Sequence, residues 1–132
     1  MSQASKVAIV TGGGSGIGAA VARELARAGW TVIIAGRRKD VLDKFIADAQ
    51  VNSSSFFAIP TDVTDEKSVI NLFDQAIEKF GRVDLLFNNA GIGAPAVEID
   101  KLSLDDWNKV VAVNLTGAFL CTREAFRVMR AQ

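Results

Sequence analysis

Residues 11–18 read TGGGSGIG, five glycines in eight positions. Glycine gives up more backbone freedom on folding than any other residue, so such a cluster points to left-handed turns or to close approach of another group. Backbone N–H groups in a loop of this kind, opening into a helix, attract anions. No Lys-Ser or Lys-Thr pair follows, which argues against a nucleoside-triphosphate loop. A second stretch, AGRRK at 35–39, has no carboxylate leading into it: none lies between Glu24 and Asp40. Dinucleotide folds place an acid about 20 residues after the glycines to hold ribose hydroxyls, whereas arginine there accommodates a 2′-phosphate. Arg37, with Arg38 beside it, fits the second case, and NADP(H) is expected over NAD(H). The alternative is a solvated basic cluster at a helix start. Asn88 and Asn89 precede Ala90-Gly91, a turn signal in its own right. Asn114 interrupts an apolar helical pattern, where asparagine is a poor helix former. There is no histidine and no tyrosine. A Ser-His-Asp triad and a histidine-rich metal site are thereby excluded within these residues, and no metal site is expected.

The elements that must hold these residues follow from periodicity. KVAIV (6–10), TVIIAG (31–36), SFFAIP (55–60) and VDLLFNNAG (83–91) are apolar without alternation, as in strands buried on both faces. Helical faces lie between them: Ile17, Val21, Leu25 and Ala28, stopped by Gly29; Val41, Leu42, Phe45, Ile46 and Ala49; then Val69, Leu72, Phe73, Ala76, Ile77 and Phe80, with Thr64 as N-cap and Gly81 as C-cap. Strand starts recur at intervals of about 25 residues, the length of one βα unit. A long helix over 104–130 follows, with Ser103 and Asp106 as a capping box and Arg123, Arg127 and Arg130 suiting the dipole at its end. The expected fold is α/β, a Rossmann-type doubly wound parallel sheet. Residues 1–132 read as the N-terminal part of one such domain, truncated after the fourth strand and its helix. In that frame Gly12 makes the turn, Gly16 lets a pyrophosphate approach and Gly18 packs helix on strand. The alternative is a tight turn with nothing bound.

Bulk properties narrow the partners. Fifteen basic residues balance fifteen acidic ones, so nothing global points to nucleic acid or an anionic membrane. No apolar run approaches the roughly 18–20 residues of a membrane span. The opening MSQASK lacks the apolar core of a secretory signal. Cys121 is the single cysteine, and a reducing cytoplasm is expected.

TGGGSGIG, Asp62-Val63, NNAG (88–91) and VNLTG (113–117) together resemble the short-chain dehydrogenase/reductase family along the whole chain. The resemblance implies that Thr11, Gly12, Ser15, Gly16, Ile17 and Gly18 line the cofactor's pyrophosphate and ribose. It implies that Arg37 and Arg38 read a 2′-phosphate, and that Asp62 and Val63 border the adenine. Asn88, Ala90 and Gly91 would lie along the cofactor, with Asn89 bracing the strands. Asn114 would belong to the catalytic set, positioning a water in a proton relay; the alternative is a buried amide capping or kinking its helix. The family acts on small-molecule carbonyls and alcohols, commonly as homo-oligomers. Its tyrosine, lysine and serine are expected beyond the fifth strand, and this chain has no tyrosine at all. Three readings follow: the cofactor half of an oxidoreductase, a non-catalytic nucleotide-binding fragment, or a fragment with no stable fold. Truncation would leave the fourth strand as an exposed apolar edge prone to self-association.

Overall fold

A computed structural model describes residues 4–132; Met1–Gln3, the first half of the MSQASK opening, lie outside the described residues. Strands β1 (Val7–Thr11), β2 (Thr31–Gly36), β3 (Phe56–Pro60) and β4 (Leu85–Phe87) form one parallel sheet in the order β3-β2-β1-β4. Helices α1 (Gly16–Arg27), α2 (Lys39–Asp48) and α3 (Glu66–Phe80) are the crossovers. Helix α4 (Leu104–Val111) runs through a π-helical segment, Ala112–Gly117, into α5 (Ala118–Arg130).

Every residue of β1 is buried, because α-helices cover both faces of the sheet. Ile9 and Ile33, paired in register, face Leu72, Phe73 and Cys121 of α3 and α5. Val10 and Ile34, one residue on, face Ala22 of α1 and Leu42 and Phe45 of α2. The period of two along a strand thus feeds two cores, each covered by its own pair of helices. This is the doubly wound, Rossmann-like architecture expected.

Several local expectations need correction. Helix α1 buries Gly18, Ala19, Ala22 and Ala26, and leaves Ile17 72% exposed. The small side chains let the helix lie close on the sheet, and the bulkier Val21 and Leu25 are turned to its flank. Thr64 does not cap α3. Its hydroxyl donates to Asp62 at 2.7 Å, while Asp65 caps by accepting from Lys67 N–H. The fourth strand keeps three paired residues of the expected nine. The helix over 104–130 carries a π turn at its centre. Arg123 and Arg127 do more than suit a dipole: they pair with Glu66 and Asp74 of α3 and with Glu124, which is only 5% exposed. Gly29 and Gly81 do take the left-handed caps expected, at φ +90° and +76°. Ser103 accepts from Asp106 N–H as a cap should.

One residue that the sequence pattern passed over ties the sheet at its amino end. The Asp84 carboxylate accepts from Val7 N–H at 2.8 Å and from Arg82 through two bonds, extending the β1–β4 ladder by a side chain. The Arg82 bonds, then the Val7 N–H and neighbouring charge, hold its carboxyl below the usual value of 3.8, against partial burial. A depressed folded-state pKa adds stability above the unfolded value and loses it as pH falls through the folded one. Asp84→Ala orphans a buried N–H and should cost about 1–3 kcal/mol near neutral pH. Urea melts should show that deficit shrinking as pH falls below the ordinary carboxylate value; a deficit constant with pH would contradict the assignment.

Candidate functional site

The sheet order turns at β1, with β2 and β3 to one side and β4 to the other, so a crevice opens beyond the carboxyl ends of β1 and β4. The glycine loop borders it. Gly12, at φ +65°, donates its N–H to Ala35 O at 2.8 Å and folds the chain back over the end of β2. Gly16 is also left-handed, φ +55°, and a Cβ there would meet nothing within 4 Å. At Gly18 a Cβ would stand 2.4 Å from Gly12 O and 2.5 Å from Asn89 Nδ2. The two glycines therefore differ in purpose. Gly18 permits three segments to close on one another; Gly16 keeps an open cradle in front of the helix. The first N–H groups of α1 have no intrahelical partners, and Ser15 caps without a side-chain bond. These are the features a bound pyrophosphate needs.

The polar residues beside the loop hold it in place. Thr11 is 1% exposed. Its hydroxyl donates to Phe87 O and accepts from the N–H groups of Asn89 and Ala90, so its side chain braces the crevice from beneath. Asn89 Nδ2 donates to Gly12 O at 3.2 Å. Asn88 turns away toward α5 and donates to Thr122 Oγ1 at 3.0 Å. Asn114, exposed on the π segment, makes two bonds to one residue: Oδ1 accepts from Ile92 N–H at 2.9 Å and Nδ2 donates to Ile92 O at 3.0 Å. The amide is thus a clamp on the loop after β4, and the helix deviates at this point without burying it.

Two adjoining cavities of about 170 and 160 Å³ share Gly12, Gly36 and Arg37. The first reaches Ser15 and Arg38; the second reaches Asp62, Val63, Ala90 and Gly91. Ile17 lies outside both, exposed on the first turn of α1. The Thr64 hydroxyl, followed by the Thr64 N–H and the charge of Arg37, keeps the Asp62 carboxyl below its usual value despite partial burial. Asp62 is therefore an anion beside a cation at the crevice wall. A larger cavity, about 540 Å³, lies between the ends of α3 and α5. It is remote from the strand ends where ligands bind in such sheets. Sequence reasoning passed over Gly36, Ile92 and Val113, which also line the crevice. Gly36, a glycine closing a strand beside the arginines, was the readable signal among them.

The short chain dehydrogenase family model matches residues 6–132. The chain belongs to the short-chain dehydrogenase family. Among its relatives, momilactone A synthase of Oryza sativa subsp. japonica is 40% identical over 94% of this chain and 45% of its own length. Cis-4-hydroxycyclohexanecarboxylate dehydrogenase of Sinomonas cyclohexanicum is 41% identical over 97% and 51%. The crystal structure of 3-ketoacyl-(acyl-carrier-protein) reductase from Brucella melitensis, complexed with NADH, superposes with a TM-score of 0.87 at 32% identity, over 93% of this chain and 49% of that one. The chain spans about half the length of the curated relatives it matches. Among the described residues, no helix of this family member is long and apolar enough to cross a membrane.

Proposed function

We propose that residues 1–132 form the N-terminal, cofactor-binding part of a single dinucleotide-binding domain in an NADP-dependent oxidoreductase acting on a small-molecule carbonyl or alcohol. The observation that carries the cofactor choice is Arg37. It lines both halves of the crevice at the end of β2, and no carboxylate precedes it on that strand. An arginine there meets a 2′-phosphate; a carboxylate would repel it. The neighbour solved with NADH supports nicotinamide chemistry without choosing between the two cofactors. The names of a hydroxycyclohexanecarboxylate dehydrogenase and a 3-ketoacyl reductase among the similar proteins support hydride exchange at a carbon bearing oxygen.

When bound, the nicotinamide cofactor supplies or accepts hydride. The residues present hold and orient it. Gly16 and the first turn of α1 receive the pyrophosphate, with Gly12 and Ser15 beside them. Arg37, with Arg38, receives the 2′-phosphate. Asp62 and Val63 bound the adenine, and Ala90 and Gly91 leave room along β4. Asn114 fixes Ile92 at the end of that path. Proton transfer falls to the family's tyrosine, for which this chain has no counterpart because it contains no tyrosine. The 132 residues alone are therefore expected to bind the cofactor and not to turn over; the second reading is a nucleotide-binding role without catalysis. The exposed apolar side chains Trp107 on α4, Leu115 on the π segment and Phe119 and Phe126 on α5 fit a homo-oligomer of the whole protein. The single cysteine fits a reducing cytoplasm, and burial pushes the Cys121 thiol up to about 11, leaving it inert.

Calorimetric titration with NADPH and NADH tests the reading. NADPH should bind at least about tenfold tighter, the equivalent of one charge-assisted contact. Equal or tighter NADH binding would remove the NADP assignment; no binding of either would remove the site.

A further inference from the structure

We infer that Gly117 is a positioning residue, setting the adenine-side wall of the crevice through Val63; the inference rests on the crevice being a nucleotide site. Gly117 closes the π segment and is buried. Glycine weakens a helix interior relative to alanine, so its place there calls for a contact that only a missing side chain permits. Val63 supplies that contact. A Cβ built on Gly117 would lie 2.7 Å from Val63 Cγ2, 3.0 Å from its Cβ and 3.3 Å from its carbonyl oxygen. Carbon pairs are comfortable at about 3.5–4.0 Å.

Val63 is 8% exposed, packed into the core on one side and lining the crevice on the other, next to Asp62. Its backbone is pinned from both directions. Thr61 N–H donates to Gly36 O at 2.8 Å and Asp62 N–H to Ser68 Oγ at 2.9 Å. Thr64 N–H donates to Asp62 Oδ1 at 2.9 Å. Val63 belongs to the same packed core as Val69, Leu72 and Leu120 and also lines the crevice. Packed cores yield little, so a side chain pushed from the helix is expected to move toward the crevice. The same π segment brings Val113 to that crevice and aims Asn114 at Ile92. One irregular turn thereby sets the helix-side wall directly, the loop after β4 through Asn114 and the adenine wall through Gly117.

The test is ADP affinity, since ADP carries the adenine end without nicotinamide. Gly117→Ala should weaken ADP at least tenfold while the far-ultraviolet spectrum stays helical. Adding Val63→Ala to that chain should recover at least threefold, the Val63 Cβ contact preventing full recovery. Unchanged ADP affinity in folded Gly117→Ala overturns the inference, because the helix and not the wall has then given way. A wild-type protein that does not bind ADP overturns the nucleotide reading itself, which is a separate result. If Gly117→Ala does not fold, Val63→Ile decides. Its extra methyl must enter the crevice and weaken ADP by a similar factor; unchanged affinity overturns the inference.

Discussion

Gly18→Ala should abolish nucleotide binding and lower folding stability by about 1–3 kcal/mol, the range for forced overpacking. The added methyl would fall 2.4 Å from Gly12 O and 2.5 Å from Asn89 Nδ2. Gly12 O is backbone, held by the Gly12 N–H bond to Ala35 O, and cannot retreat cheaply; Asn89 Nδ2 can swing aside only by giving up its own bond to Gly12 O. The substitution therefore strains the joint among the glycine loop, α1 and the loop after β4 at once. Gly16→Ala is the internal control. Its methyl meets nothing within 4 Å, so its cost is the left-handed backbone alone, roughly 1–2 kcal/mol. Yet it too should weaken nucleotide binding, because it fills the cradle. Urea melts paired with NADPH titrations separate the two. Equal stability of Gly18→Ala and wild type would show that the joint is looser than these distances require.

The contrast between those glycines shows where reading a sequence succeeds and where it stops. Strand–glycine loop–helix is a local pattern, and the glycines' separate duties follow from their order in it. The buried strands were legible because both faces are covered, which leaves an unbroken apolar run. The face of α1 was not. Bulky apolar spacing marks a core face only where there is room for it, whereas a helix that must lie close to a glycine loop buries its smallest residues, Gly18, Ala19 and Ala22. The π turn left no signal beyond Asn114, since π and α turns draw on the same side chains and differ only in how a partner such as Ile92 pulls on them. The Asp84 tie was hidden for another reason: its meaning depends on Val7, 77 positions away. Asp65 rather than Thr64 caps α3 because Asp62 occupies the Thr64 hydroxyl, a pairing that a cap pattern alone does not register.

Arg37→Ala should weaken NADPH by about tenfold to a hundredfold, the loss of one or two charge-assisted contacts at about 1.5–3 kcal/mol each less what water and Arg38 restore. NADH affinity should change by less than about threefold, because the contact at stake exists only with a 2′-phosphate. The neighbouring cations do not substitute fully. Lys39 is drawn to Asp43 at 2.6 Å, one turn along α2. Arg38 lines the glycine side of the crevice but not the Asp62 side. Asp62 sharpens the effect: as an anion beside Arg37 it is partly neutralised by it, and removing the arginine leaves that carboxylate facing the incoming phosphate. Arg37→Asp should go further and reverse the preference toward NADH, since a carboxylate at this point suits free ribose hydroxyls. Salt gives an independent readout. NADPH binding should weaken more steeply than NADH binding as ionic strength rises, and Arg37→Ala should remove most of that difference. Equal losses for both cofactors would mean that Arg37 shapes the crevice without reading the phosphate, and the NADP assignment would fall while the nucleotide site stood.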